Sequence, residues 1–176
     1  VVTLGGVEAT VNTHSATALV VVAGDGVGSE GPGGVYIRSD TGATVSRLDG
    51  WTFLELGDIT DVSPNAGVVG TRIIIAGARL HGGGSAVADV SFGGVSAVIV
   101  EQSDDAVSVI ARVSSEPGAV DVVITSNSGA IIVEEAGFDY LATVVQGVLP
   151  PTGQEGTLLR LHGDFLLGGG TTIVSA

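Results

Sequence analysis

The sequence predicts an all-β chain of tandem immunoglobulin-like β-sandwiches, about 87 residues per repeat, and three observations carry that prediction. First, the chain repeats itself. Ile59-Thr-Asp-Val-Ser-Pro64-Asn-Ala-Gly67-Val-Val-Gly70-Thr71 returns as Val145-Gln-Gly-Val-Leu-Pro150-Pro-Thr-Gly153-Gln-Glu-Gly156-Thr157, a shift of 86. Val90-Ser-Phe-Gly93-Gly94-Val95 matches Val2-Thr-Leu-Gly5-Gly6-Val7 at a shift of 88, and Phe138-Asp-Tyr-Leu141 matches Trp51-Thr-Phe-Leu54 at 87. So steady a period is the signature of one structural unit used more than once. Second, 29 glycines and many Val, Thr and Ile residues form short apolar runs between Gly, Pro, Asn and Asp clusters, the pattern of strands and tight turns. Third, no stretch keeps an apolar spacing of three and four residues, so helices should be nearly absent.

Within this period, residues 1–56 read as the C-terminal part of a unit and 58–141 as a complete unit. Residues 143–176 read as the N-terminal part of a further unit, expected to complete a unit like 1–56 in an adjacent copy. In the complete unit, strands are expected near 58–62, 70–79, 87–92, 95–101, 106–113, 119–126 and 130–141, seven in all, as in an immunoglobulin-like sandwich.

Alignment of the copies predicts which side of each strand is buried, since a position polar in one copy should face water in all. Ile74 aligns with Arg160, which turns Ile73 and Ile75 inward together with Leu159 and Leu161. Ser108 aligns with Val20, which places Val107, Val109, Leu19 and Val21 inside. By the same reasoning Val122, Ile124, Val35 and Ile37 are inward, and so are Phe138, Tyr140, Trp51 and Phe53. Val20, Val22, Ile74, Ile110, Val123 and Leu158 are left outward, either a row for lateral packing on another copy or scattered surface residues. Gly67 and Gly153 suit a turn before the next strand. Gly5-Gly6 and Gly93-Gly94 suit hairpin turns, and Gly77 and Gly163 suit a bulge or close backbone approach.

These motifs resemble tandem IPT/TIG domains, the immunoglobulin-like module shared by plexins and certain transcription factors. The residues that carry the likeness are Ile59-x-x-Val-Ser-Pro64-x-x-Gly67-x-x-Gly70-Thr71, Ile73-x-Ile75-x-Gly77-x-x-Leu80, Val90-x-Phe92-Gly93-Gly94, Val122-x-Ile124-x-Ser126-x-x-Gly129 and Phe138-x-Tyr140. The resemblance implies an extracellular or cell-surface array in relatives with many copies, a DNA-contacting role in the transcription-factor branch, and an accessory module in some polysaccharide-processing enzymes. This chain lacks the basic loops of the second group and the disulfides frequent in the first.

Charge and composition narrow the function further. A net charge of -13, with six Lys and Arg residues in total, argues against nucleic-acid or acidic-membrane partners, which need a basic patch. Without Cys there is neither a disulfide nor a thiol nucleophile. The longest apolar run, Ala18 to Ala23, falls far short of the roughly 18 residues of a membrane span.

No catalytic, cofactor-binding or metal-binding residue is assigned, and no cofactor is expected. Gly26-Val-Gly28-Ser-Glu-Gly31 fits a dinucleotide-binding pattern, but Pro32-Gly33-Gly34 and a strand follow it where a helix N-terminus is required. His14, His81 and His162 occupy non-equivalent repeat positions and do not cluster as zinc ligands would. Glu55, Asp58 and Asp61 gather at one junction as calcium ligands could, yet the matching junction, 142–147, has no acid. Gly82-Gly83-Gly84 and Gly168-Gly169-Gly170 recur at the repeat spacing and read as a shared loop. Trp51 is expected in the core, leaving Tyr36 as the outward aromatic.

The expected function is a non-enzymatic structural component of an extracellular filament, stalk or surface appendage. Its expected partners are other copies of the same repeat, through strand complementation and lateral packing, with a cell-surface protein or glycan as a second class. The alternative is a ligand- or carbohydrate-binding module of a receptor or polysaccharide-active enzyme, with Tyr36 and the 24–34 loop as its edge.

Overall fold

The computed structural model describes residues 1–112, 116–168, 172 and 173, and among them every regular element is a strand. The chain divides into two compact units, Val1–Leu56 and Gly57–Ala176. The first contains β1 (Val2–Leu4), β2 (Val7–His14), β3 (Leu19–Val22), β4 (Gly31–Arg38) and β5 (Thr44–Phe53). The second contains β6 (Asp58–Ser63), β7 (Ala66–Gly67), β8 (Arg72–Ala78), β9 (Val87–Phe92), β10 (Val95–Ser96), β11 (Val98–Gln102), β12 (Ala106–Ile110), β13 (Gly118–Ser126), β14 (Ile131–Tyr140), β15 (Val144–Leu149) and β16 (Arg160–Asp164).

Residues 58–140 form a two-sheet sandwich. One sheet runs β10-β9-β13-β14-β7 and the other β11-β12-β8-β6. All seven expected strands are present; the fourth splits into β10 and β11, which pair in different sheets, and β7 is an added two-residue strand. Strict alternation places Ile73, Ile75, Val107, Val109, Val122, Ile124 and Phe138 fully inside, as the copy alignment predicts. Each such side chain contributes about 1.5–3 kcal/mol by leaving water. At the centre, Phe138 stands edge-on to both Phe92 and Tyr140, with ring centroids 5.1 Å apart in each pair.

Tyr140 is the polar member of this cluster. Its hydroxyl donates to the Arg112 carbonyl at 3.1 Å, and burial pushes its pKa up from the usual phenol value. Because the folded state keeps the proton longer than the unfolded chain, this group's contribution to stability is complete below the ordinary tyrosine pKa and declines as pH rises past it. Tyr140→Phe should cost about 1 kcal/mol in denaturant titrations, the net value of one such hydrogen bond, and should remove that alkaline decline.

The first unit is a single five-stranded sheet, β3-β2-β1-β4-β5, with Val2, Leu4, Ala9 and Phe53 buried and Val7, Val21, Val35 and Ile37 partly buried beside them. Its pairings match those of the sandwich residue by residue. Leu4↔Val7 corresponds to Phe92↔Val95, Val2↔Ile37 to Val90↔Ile124, Ile37↔Val45 to Ile124↔Ile132, and His14↔Leu19 to Gln102↔Val107. Even the irregularities match: the register shift at Gly33/Val35 stands opposite that at Val120/Val122. Asp49 and Ala136 both adopt positive φ at the same point of the strand.

The hairpin β15–β16 reproduces β6–β8 just as closely. Val148↔Leu161 and Leu149↔Arg160 correspond to Val62↔Ile75 and Ser63↔Ile74, and bulges fall at Val145/Gly147 and Ile59/Asp61. Arg79 and Phe165 share a positive φ, after which Gly82 and Gly168 each donate back to that residue's carbonyl.

Burial departs from expectation at seven positions. Leu19, Trp51, Leu159 and Leu161 were predicted inward but are exposed, because each lies on a sheet that no second sheet covers within its own group of paired strands. Ser108 is expected outward but is buried, and Arg72 Nε donates to its Oγ at 3.0 Å, which satisfies the hydroxyl away from water. Ile110 and Val123, also expected outward, are partly buried, whereas Val20, Val22, Ile74 and Leu158 are exposed as expected.

The glycine turns follow chemistry. Gly5-Gly6 and Gly93-Gly94 all have positive φ and close two-residue hairpins, the conformation such turns demand. Gly67 and Gly153 do not themselves make the turn. They pack against Thr71 and Thr157, whose hydroxyls accept from the amides of Val68 and Gln154 and close the turn one residue later.

Candidate interaction surfaces

Each residue singled out for possible chemistry has a structural position. The 24–34 stretch follows β3, and its last four residues, from Gly31, already belong to β4. Asp25 Oδ1 accepts from the Val27 amide and Glu30 Oε1 from the Gly28 amide, both at 3.0 Å. Hydrogen bonds from its own amide and that of Gly28 hold the Glu30 carboxyl below its usual pKa. The amides that a phosphate would need are thus occupied by carboxylates, and the loop repels anions.

The three histidines sit on or next to different strands. His14 ends β2 and His162 sits in β16, both exposed. His81 follows β8 and is mostly covered: its amide donates to Asp104 Oδ1 at 2.9 Å, its Nδ1 lies 3.7 Å from the same oxygen, and its Nε2 is buried without a partner. Among the described residues, no three His, Asp or Glu side chains converge as a metal site.

The Gly82-Gly83-Gly84 loop serves the fold. Ser126, buried beneath it, donates to the His81 carbonyl and accepts from the Ser128 amide, while Asn127 Oδ1 accepts from Ser85. The matching Gly169 and Gly170 lie outside the described residues.

Of the acidic junction residues, Asp58 opens β6, Glu55 lies between β5 and β6, and Asp61 lines a cleft beside Asn65 and Glu134. This cleft, about 240 Å³, runs along Ile59, Thr60 and Val62 on one side and Ala136 and Gly137 on the other. Sequence reading missed it, because it arises where the β6 bulge meets the positive-φ turn at Ala136; only the shared bulge position could have hinted at it. Glu101 and Arg72 pair at 3.8 Å, an exposed ion pair worth little by itself.

Exposed apolar side chains mark both the first unit and the β15–β16 hairpin. On the first unit, Trp51 is 38% exposed, although its counterpart Phe138 is fully buried; its ring meets Phe53 edge-on at 5.7 Å. On the hairpin, Leu159 and Leu161 are 49% and 52% exposed, where Ile73 and Ile75 are at 0%. Tyr36, half exposed, stands on β4 with its ring over Gly34.

Comparison with known proteins agrees with this architecture. The family model described as the IPT/TIG domain matches residues 58–140. Among solved structures, the full extracellular region of plexin A4, domains 1 to 10, is 24% identical with a TM-score of 0.51, covering 85% of this chain and 13% of the plexin chain. A second plexin A4 extracellular structure is 25% identical with a TM-score of 0.45, covering 80% of this chain and 14% of that one. SGBP-B of a Bacteroides ovatus mixed-linkage glucan utilization locus, in complex with a heptasaccharide, is 14% identical with a TM-score of 0.40, covering 82% and 39%. This chain therefore spans only about one eighth to one seventh of the plexin chains it resembles. No curated protein matches it. Residues 58–140, which form the two-sheet sandwich, are thus the part of the chain that resembles the IPT/TIG domain family.

Proposed function

We propose that this chain is a non-enzymatic structural segment of a cell-surface or extracellular filament, stalk or appendage, built from IPT/TIG units that associate with other copies of themselves. In this reading residues 1–56 are the C-terminal part of one unit, 58–141 a complete unit and 143–176 the N-terminal part of a further one. The observation that carries it is the pair-by-pair identity of strand register between residues 58–140 and the strands of 1–56 and 144–164. A chain that uses one design repeatedly, with an acidic surface to keep it soluble, suits an extended array better than a single binding pocket. The fold it shares with an extracellular plexin region supports a place outside the cell.

Sedimentation of the purified chain, followed by negative-stain imaging at high concentration, tests the reading. Linear particles with a regular repeat along their length are expected. A chain that stays monomeric at all concentrations would contradict self-association. The ligand- or glycan-binding alternative places its edge at Tyr36 and the 24–34 loop, but the Val27 and Gly28 amides of that loop are already held by Asp25 and Glu30.

A further inference from the structure

We propose that the open edge of β3 receives strand β16 of a second copy of this chain, antiparallel, with Leu161 opposite Leu19, Arg160 opposite Val20 and Leu159 opposite Val21. This names the contact within the self-association proposed above and rests on that reading.

The sandwich at 58–140 shows what β3 lacks. There β12, the counterpart of β3, pairs on one side with β11 and on the other with β8, as Val107↔Ile75, Ser108↔Ile74 and Val109↔Ile73. Among the described residues, β3 pairs only with β2 and ends its sheet, and β16 pairs only with β15. Since β15–β16 already has the register of β6–β8, the β8-type strand is formed, and no described residue pairs with its outer edge. Such an edge presents unpaired backbone groups that another strand can satisfy.

Side chains agree with the register. Leu19, Trp51, Leu159, Leu161 and Leu166 are 37–52% exposed, while their counterparts Val107, Phe138, Ile73, Ile75 and Leu80 are all at 0%. Bringing the two sheets together would bury both sets. On the outer face the polarity is exchanged: the sandwich sets apolar Ile74 against Ser108, and the proposed ladder sets Arg160 against apolar Val20. Leu158, 93% exposed, would meet Val22, 53% exposed. A second contact follows from β7, which pairs parallel with β14 as Asp139↔Ala66 and Tyr140↔Gly67; its counterpart places Gly153 beside Phe53. A copy that gives β16 to one neighbour and receives it from another on β3 grows head to tail.

Cysteine cross-linking tests the register cleanly because the chain contains no Cys. Val20→Cys and Arg160→Cys are placed on separate chains, both at exposed outward positions. Directly opposed residues lie within disulfide reach. Under mild oxidation the mixture should form at least ten times more linked dimer than either variant alone, and replacing the partner by Leu161→Cys, which faces the other side, should return the yield to that background. The Val20→Cys, Arg160→Cys double variant should form a ladder of linked chains. Equal yields with Arg160→Cys and Leu161→Cys, or closure of the double variant within one chain, would overturn the proposal. Sedimentation of the wild-type chain separates the two levels: oligomers without the specific cross-link defeat the register and leave self-association standing, whereas a persistent monomer defeats both. Leu161→Asp should abolish the concentration-dependent mass increase, and an unchanged increase would count against the contact.

Discussion

Phe138→Ala is expected to destabilise the 58–140 sandwich by about 3–5 kcal/mol, because truncating a fully buried aromatic removes its transfer energy and leaves a cavity. The loss includes both edge-on contacts of the central cluster, to Phe92 and to Tyr140. Denaturant unfolding followed by far-UV circular dichroism measures it. The same truncation at the matching position of the first unit, Trp51→Ala, should cost under half as much in dilute solution, since that ring is already 38% exposed. The two positions align in sequence and share strand register, so the covering sheet is the main difference in their surroundings. Equal costs would mean that the first unit is closed in solution.

Gly77→Val is expected to be almost as damaging, at the upper end of the roughly 1–3 kcal/mol of overpacking or beyond it. A Cβ at Gly77 would collide with the Asp58 carbonyl oxygen and stand 2.8 Å from Leu80 Cδ2. The obstruction lies in the β6 backbone, which is held by its ladder with β8, and Leu80 is fully buried, so neither can yield cheaply. Gly163 faces the same collision with the Val144 carbonyl, but beside it Leu166 is 40% exposed and can move aside. Gly163→Val should therefore disturb its hairpin locally and leave the thermal midpoint of the sandwich unchanged. A calorimetric scan of the two variants distinguishes the cases.

Much of this architecture is legible in the sequence because the repeat supplies a second view of each position. Arg160 beneath Ile74 and Arg38 beneath Thr125 reveal the outward side of their strands, and the structure buries the flanking Ile73, Ile75, Val122 and Ile124. The method fails at Ser108, where polarity suggested water and an arginine from the neighbouring strand satisfies the hydroxyl instead. It fails differently at Trp51 and Leu161. Alignment reports which way a side chain points, but burial also needs an opposing sheet, and that belongs to tertiary assembly. The cleft beside Asp61 and Glu134 escaped for a related reason: it is made by a bulge and a positive-φ alanine, features of backbone pairing that no residue pattern spells out. The junction acids were grouped by sequence proximity, yet the β6 strand carries Asp61 to the cleft while Asp58 stays at the strand's start.

Amide hydrogen exchange of the wild-type chain at low and high concentration tests most directly whether the two exposed apolar sheets are halves of one sandwich. At low concentration the amides of β8, β9, β12, β13 and β14 should exchange only through global unfolding, while those of β3 and β16 exchange far faster. At high concentration β3 and β16 should gain protection together. Protection of both strands at the level of β8 and β12 in dilute monomer, or unchanged fast exchange at every concentration, would contradict the account.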